Sequence, residues 1–126
     1  MSETGATILL VDDNSDVIEV VRVILETEGY VVATASDGAD ALAQLRAGLT
    51  PKLIILDLTM PVMDGWEFRE HQLADPALRD IPTIIYSAVS SVRRDEVGAL
   101  RVEAAFDKGA DPTAMLSVVS AICRRP

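Results

Sequence analysis

Three aspartates in this 126-residue sequence directly follow short apolar runs. Residues 53–56 are four large apolar residues that end at Asp57, and residues 8–11 form a similar run that ends at Asp12 and Asp13. A strand of this composition is expected to be buried on both faces. Burying a carboxylate at its end costs free energy, so its presence there indicates a functional role. The pattern therefore marks the three aspartates as candidates for chemistry, with Asp57 first among them.

Two more polar residues follow predicted strands. Ser87 comes after the run 81–86, and Lys108 comes after the run 104–107. In open α/β sheets, ligands bind beyond the carboxyl ends of the strands, at the point where the winding changes direction. We therefore expect the three aspartates, the serine and the lysine to converge on one site.

This set of side chains suits phosphoryl chemistry with a divalent cation. Three carboxylates within about 5 Å of one another repel by roughly 3 kcal/mol per pair at an effective dielectric constant near 20. Oxygen ligands select Mg²⁺ or Mn²⁺ over zinc. Lys108 would contact phosphoryl oxygens and Ser87 would donate a hydrogen bond, while Asp57 could accept the phosphoryl group as an acyl phosphate.

The elements that must position these residues alternate along the chain. Helical apolar periodicity follows each apolar run, and the fourth predicted helix, 90–102, has the narrowest apolar face. Helix start and stop signals fall at Gly29, Asp37-Gly38, Gly48, Asp64 and Asp111-Pro112, whereas Gly98 interrupts the fourth predicted helix. Five strand-helix pairs predict an α/β fold with a parallel sheet that helices cover on both faces. The predicted strands cover residues 8–11, 30–35, 53–56, 81–86 and 104–107.

Composition narrows the classes of function. The formal charge of −9 and the pI near 4.4 argue against direct binding to nucleic acid or to an anionic membrane. A lone cysteine, Cys123, suits a reducing compartment and is expected to be a buried hydrophobe. The length fits one domain over 1–126, and the absence of a signal peptide or an apolar span predicts a cytoplasmic protein.

The motifs together resemble the receiver domain of two-component response regulators, over essentially the whole chain. The resemblance implies a flavodoxin-like (βα)₅ fold with five parallel strands in the order 2-1-3-4-5. It also implies Mg²⁺-dependent transfer of a phosphoryl group to Asp57 from a histidine kinase or a histidine phosphotransfer protein. The motifs that carry it are Asp12-Asp13, Asp57 with Met60-Pro61 and Asp64-Gly65, Ser87, and Lys108.

The resemblance also implies residue roles. Asp13 and Asp57, with the backbone carbonyl near Thr59, would bind the metal, and Asp12 would assist them. Ser87 and Lys108 would sense the phosphoryl group. The signal would pass to a downstream protein target through the fourth and fifth predicted helices.

Three departures from the family pattern fall on the signalling side of the domain. Gly109 follows Lys108 where receivers commonly have a proline, so we expect a looser loop there. Ala105 occupies the usual position of an inward-turning aromatic, and strand alternation places Phe106 on the opposite face. Residues 101–103 replace the usual Gly-Ala pair, which removes the expected stop of the fourth helix. The phosphoacceptor residues are all present, so we expect phosphorylation to be retained. The departures predict instead that the phosphorylated domain passes its signal on in an unusual way.

Other functions fit less well. A phosphatase of the haloacid dehalogenase type needs a second aspartate two residues after the nucleophile, where this chain has Thr59, and a flavin-binding domain needs a phosphate loop that residues 12–14 would repel. A receiver-like module that binds partners without phosphorylation stays open. So does the choice between a stand-alone receiver and the front of a longer regulator. Val89, two residues after Ser87, is apolar and cannot orient an attacking water, which predicts slow autodephosphorylation.

Overall fold

The predicted strands form one parallel sheet in the structure, a computed structural model that describes residues 5–88 and 98–125. The strand order is β2-β1-β3-β4-β5, as the family resemblance implies. The fold is thus flavodoxin-like, and the predicted fold class is confirmed. The strands are β1 Thr7–Val11, β2 Val31–Ala35, β3 Leu53–Leu56, β4 Thr83–Ser87 and β5 Ala104–Asp107.

Four α-helices lie in the described residues, where sequence signals place their ends. Gly29 and Gly48, both with positive φ, follow the first two helices. The last helix differs from expectation, because its first turn, Pro112–Met115, is a 3₁₀ turn. Of the predicted fourth helix, residues 90–97 lie outside the described residues, and Gly98–Leu100 is a 3₁₀ turn. The helices are α1 Ser15–Thr27, α2 Gly38–Arg46, α3 Gly65–Ala74 and α4 Leu116–Cys123.

The core has two layers, one on each face of the sheet. Every residue of β3 is fully buried, and alternate residues of the strand point into opposite layers. Each such side chain contributes about 1.5–3 kcal/mol through burial. Cys123 lies in the layer formed by α1 and α4 and is buried, as predicted. This two-sided burial fixes β3 and places the backbone of Asp57 at its end.

The pairing of β4 with β5 is regular, and it determines which face of the sheet Phe106 occupies. Ile85 pairs with Ala105, and Tyr86 pairs with Phe106. Ala105 is exposed, whereas Phe106 is half-buried and packs in the α1–α4 layer. The two side chains therefore lie on opposite faces, as strand alternation predicts, and no bulge brings the aromatic to the position of Ala105.

A buried arginine on α3 binds the backbone at the end of the 3₁₀ turn Gly98–Leu100. Only 3% of Arg69 is exposed. Its guanidinium donates to the carbonyls of Leu100 (2.7 Å) and Arg101 (2.9 Å) and to the hydroxyl of Thr83 (3.0 Å). Arg101 itself has φ 54°, the left-handed conformation that glycine would adopt most easily. We call this arrangement the Arg69 cap, and it joins α3 to β4 and to the segment before β5.

Candidate functional site

The carboxyl ends of β1, β3, β4 and β5 bring the predicted residues together. The N–H of Asp57 donates to the carbonyl of Val11 (2.9 Å), and the N–H of Lys108 donates to the carbonyl of Ser87 (3.0 Å). The sheet ladder therefore extends one residue past the strands and holds these backbones in place. Asp12, Asp57 and Ser87 are buried, and Asp13 is exposed beside them.

Both carboxylate oxygens of Asp57 are engaged. The hydroxyl of Ser87 donates to Oδ1 at 2.6 Å, and the N–H of Thr59 lies 3.4 Å from the same oxygen. Nζ of Lys108 lies 3.2 Å from Oδ2. The hydroxyl of Ser87 also accepts from the N–H of Leu58 at 3.2 Å, which orients its proton toward Asp57. Asp57 is thus held in one orientation at the mouth of the site.

Lys108 bridges two of the carboxylates. Its Nζ lies 2.8 Å from Oδ2 of Asp12 in addition to its contact with Asp57. Burial alone would lower the pKa of Lys108, but the hydrogen bonds and charges of these two aspartates outweigh that effect and raise it. The ammonium therefore stays charged at neutral pH.

Burial makes the charged form of Asp12 costly. Burial raises the pKa of Asp12, and the nearby charge of Asp57 acts in the same direction. The contacts with Lys108 and with the N–H of Asn14 (2.9 Å) oppose this shift without cancelling it. A carboxyl group whose pKa is raised on folding destabilises the folded state once it is charged, so stability falls as pH rises through the acid range.

We expect Asp12→Asn to raise the free energy of unfolding at pH 7 by about 1 kcal/mol without divalent cations, because it removes a buried charge. The gain should shrink as pH falls toward 3.8, the ordinary pKa of an aspartate, because the native carboxyl becomes protonated. Urea denaturation across this pH range measures the effect. Glu70→Gln, at an exposed position in the middle of α3, is the control and should change stability by less than about 0.5 kcal/mol. A destabilised Asp12→Asn would contradict this account.

The carboxylates form a group that fits a hard divalent cation. One oxygen each from Asp12, Asp13 and Asp57 lie within 4.8 Å of one another. The group contains no sulfur or imidazole ligand, and a set of oxygen ligands favours Mg²⁺ over zinc. Thr59 lies beside Asp57 through its N–H, whereas the metal role of its carbonyl stays a prediction.

Gly65 lets the start of α3 pack directly on the site. Its N–H donates to the carbonyl of Leu58 at 3.1 Å, and Asp64 caps the helix by accepting from the N–H of Glu67 at 2.9 Å. A Cβ atom on Gly65 would overlap the carbonyl oxygen of Asp57 and lie 2.8 Å from Cα of Leu58. The loop after Asp57 is therefore held by the position of α3.

An aspartate that the sequence analysis did not identify closes the loop after Lys108. Oδ1 of Asp107 accepts from the N–H of Gly109 at 3.0 Å, and its carbonyl accepts from the N–H of Ala110 at 3.0 Å. Side-chain closure of this kind is typical of aspartate, but an Asp-x-Gly spacing is too common in sequences to single it out. These two hydrogen bonds close the loop without the proline that receivers commonly have after the lysine, whereas its looseness stays a prediction.

Val89, which carries the prediction of slow autodephosphorylation, lies outside the described residues, so that prediction stays untested. The single histidine of the chain, His71, lies on the exposed side of α3, 3.8 Å from a carboxylate oxygen of Glu67.

The sequence profile of the response regulator receiver domain matches residues 8–120 of the chain. The chain therefore belongs to the response regulator receiver family of two-component signalling.

Relatives and solved structures agree with this assignment. RpaA of Synechocystis, a DNA-binding dual master transcriptional regulator, is 33% identical over 94% of this chain, which spans 49% of that regulator. The phosphorylated cyanobacterial phytochrome response regulator RcpA is 32% identical with a TM-score of 0.78, covering 94% of this chain and 91% of its own. TrrA of Thermotoga maritima, in complex with Mg²⁺-BeF, is 26% identical with a TM-score of 0.81, covering 93% and 98%.

Among the described residues, no helix is both long enough and apolar enough to cross a membrane.

Proposed function

We propose that this receiver accepts a phosphoryl group on Asp57 from a phosphohistidine of a kinase or of a phosphotransfer protein. The observation that carries the proposal is the setting of Asp57. It is 3% exposed, and its two oxygens are contacted by Ser87 and Lys108 at the edge of an acidic group. Family membership adds support, because the fold brings these residues to the same strand ends.

The transfer itself needs one nucleophile and groups that stabilise charge. A carboxylate oxygen of Asp57 attacks phosphorus, the P–N bond of the donor breaks, and its electron pair stays on the imidazole nitrogen. The product is an acyl phosphate on Asp57. The ammonium of Lys108 and the hydroxyl of Ser87 then move from the carboxylate to phosphoryl oxygens, where they stabilise the added negative charge.

A divalent cation completes the proposed site. Asp12, Asp13 and Asp57, with the carbonyl of Thr59, would hold Mg²⁺, which would offset the charge of the incoming phosphoryl oxygens. The three carboxylates fit this role by their number, spacing and oxygen chemistry. The solved Mg²⁺-BeF complex of TrrA, a relative with the same fold, supports the proposal.

The signal then reaches a partner protein. Phosphorylation would break the 2.6 Å contact between Ser87 and Asp57, so β4 is the first element to respond. Position 105 of β5 holds an alanine, so no aromatic side chain on that face of the strand can follow the movement of Ser87. We therefore propose that the signal is transmitted without an aromatic switch. The residues 1–126 would work as one receiver unit in the cytoplasm and would contact a downstream protein rather than DNA.

Incubation with acetyl phosphate and Mg²⁺ tests the proposal by intact-protein mass spectrometry. The chain should gain one phosphoryl group, whereas Asp57→Asn should gain none because its amide is not a nucleophile. Glu70→Gln, at an exposed acid in the middle of α3, is the matched control and should gain the group normally. EDTA should prevent the gain.

Two outcomes would contradict the proposal. An equal mass gain in Asp57→Asn would place the phosphoryl group elsewhere. No gain in the unaltered chain would favour the alternative, a receiver-like module that binds partners without phosphorylation.

A further inference from the structure

A polar cavity lies at the opposite end of the sheet from Asp57. It has a volume of about 690 Å³ and is bounded by α3, by the residues that lead into β4, and by those that lead into β5. This volume lies within the range of small-molecule sites in proteins. Its charged lining consists of Arg69, Arg79, Arg101, Asp80 and Glu103.

Arg69 places a buried positive charge in the wall of this cavity. Its bonds within the described residues go only to neutral oxygens, those of Leu100, Arg101 and Thr83. Burial lowers the pKa of Arg69, and the charge of Glu103 only partly offsets this. Leaving a buried charge without a counterion is costly. An anion in the cavity would therefore stabilise Arg69 without displacing its capping bonds.

The acids of the cavity do not cancel its arginines. Glu103 already pairs with Arg125, whose guanidinium lies 3.0 Å from Oε1. Asp80 makes no ion pair with another described residue. Two exposed arginines, Arg79 and Arg101, add their charge to that of Arg69. In a chain whose formal charge is −9, this concentration of positive charge is local and faces a concave surface.

Arg101 contributes a second guanidinium on the wall of the cavity. It adopts the left-handed conformation, with φ 54°, which costs an arginine about 1–2 kcal/mol relative to the right-handed region. Glycine would adopt it more easily, yet here an arginine occupies the position and lines the cavity. The Arg69 cap holds this backbone, because the guanidinium of Arg69 donates to the carbonyl of Arg101, and so it keeps Arg101 at the wall of the cavity.

We propose that this cavity binds a phosphate group, either free or as the ester of a small metabolite. Guanidinium groups match phosphate oxygens in geometry and charge, so Arg79 and Arg101 would contact the phosphate while Arg69 supplies charge from behind. Asp80 would accept a hydrogen bond from a hydroxyl group of the ester. The site is separate from Asp57 and does not depend on its phosphorylation.

Titration followed by two-dimensional ¹H–¹⁵N NMR tests the proposal. Inorganic phosphate and glycerol phosphate are the probes, with EDTA present and the ionic strength held constant with chloride. The amides of Ile81 and residues 101–104 should shift and saturate at millimolar probe, whereas those of Asp12 and Asp13 should not. Tighter binding of glycerol phosphate assigns the site to esters, and equal binding assigns it to phosphate itself.

Arg101→Gly separates binding from folding. The change removes a guanidinium and relieves the strained φ, so the variant should fold at least as stably yet bind about tenfold more weakly. Asp80→Asn should bind inorganic phosphate about threefold more tightly because it removes a negative charge. Arg46→Gln, at an exposed position at the end of α2, is the control and should leave affinity unchanged.

Three results would overturn the proposal. Shifts that grow linearly without saturation would show only weak screening by the anion. Equal affinity of Arg101→Gly and Arg46→Gln for the probes would show that the cavity is not the binding site. Shifts confined to the amides around Asp57 would place phosphate at the phosphoacceptor end of the sheet.

Discussion

The variant Gly65→Ala is expected to lose about 3 kcal/mol of folding free energy and most of its phosphorylation by acetyl phosphate. The new methyl group would overlap the carbonyl oxygen of Asp57 and lie 2.8 Å from Cα of Leu58. Both are backbone atoms of the phosphoacceptor loop, so a rotamer change cannot relieve the clash. Either α3 or the loop must shift, and Asp57 would then lose its alignment with Ser87 and Lys108.

Urea denaturation followed by fluorescence measures the stability of this variant, because Trp66, the single tryptophan of the chain, directly follows Gly65. Intact mass after incubation with acetyl phosphate measures the chemistry. Gly98→Ala is the matched control, since a Cβ atom there would have no neighbour within 4 Å, and it should change neither property. An unaltered denaturation midpoint in Gly65→Ala would show that α3 does not fix the loop.

The second large effect is expected at the Arg69 cap. Arg69→Leu removes three hydrogen bonds and leaves the carbonyls of Leu100 and Arg101 and the hydroxyl of Thr83 without that donor. Each buried acceptor left without a partner costs about 1–3 kcal/mol. Removing a buried charge offsets part of this loss. We expect a net loss of about 2 kcal/mol, measured by urea denaturation.

Hydrogen exchange shows where the loss acts. The amides of residues 100–104 should exchange faster in Arg69→Leu, whereas those of β1 should change only with global stability. Arg79→Leu replaces an exposed arginine of the same cavity and should change stability by less than about 0.5 kcal/mol. If the two variants were equally stable, the cap would contribute little.

The strands and the site could be predicted from the sequence because they depend on local patterns. The apolar runs before Asp12 and Asp57 indicate buried strands, and parallel strands must end at one edge of the sheet. The site geometry then follows from topology. The five-stranded order came from the family resemblance rather than from periodicity.

The features that were missed depend on contacts between distant residues. Arg69 lies between Phe68 and Glu70 on a polar helix, and nothing nearby in the sequence shows that its guanidinium meets carbonyls more than thirty residues away. The closed loop after Lys108 was missed because the missing proline was the stronger signal. The 3₁₀ turn at Pro112 follows the predicted cap at Asp111, but the type of helix is decided by packing.

The opposite charges at the two ends of the sheet have a further consequence. Carboxylates dominate the end that holds Asp57, and guanidinium groups dominate the cavity at the other end. These two groups of charges therefore contribute an electric dipole along the strands. A donor protein with a basic surface would turn the Asp57 end toward itself before contact, so encounters would be productively oriented, and added salt would slow them by screening that torque.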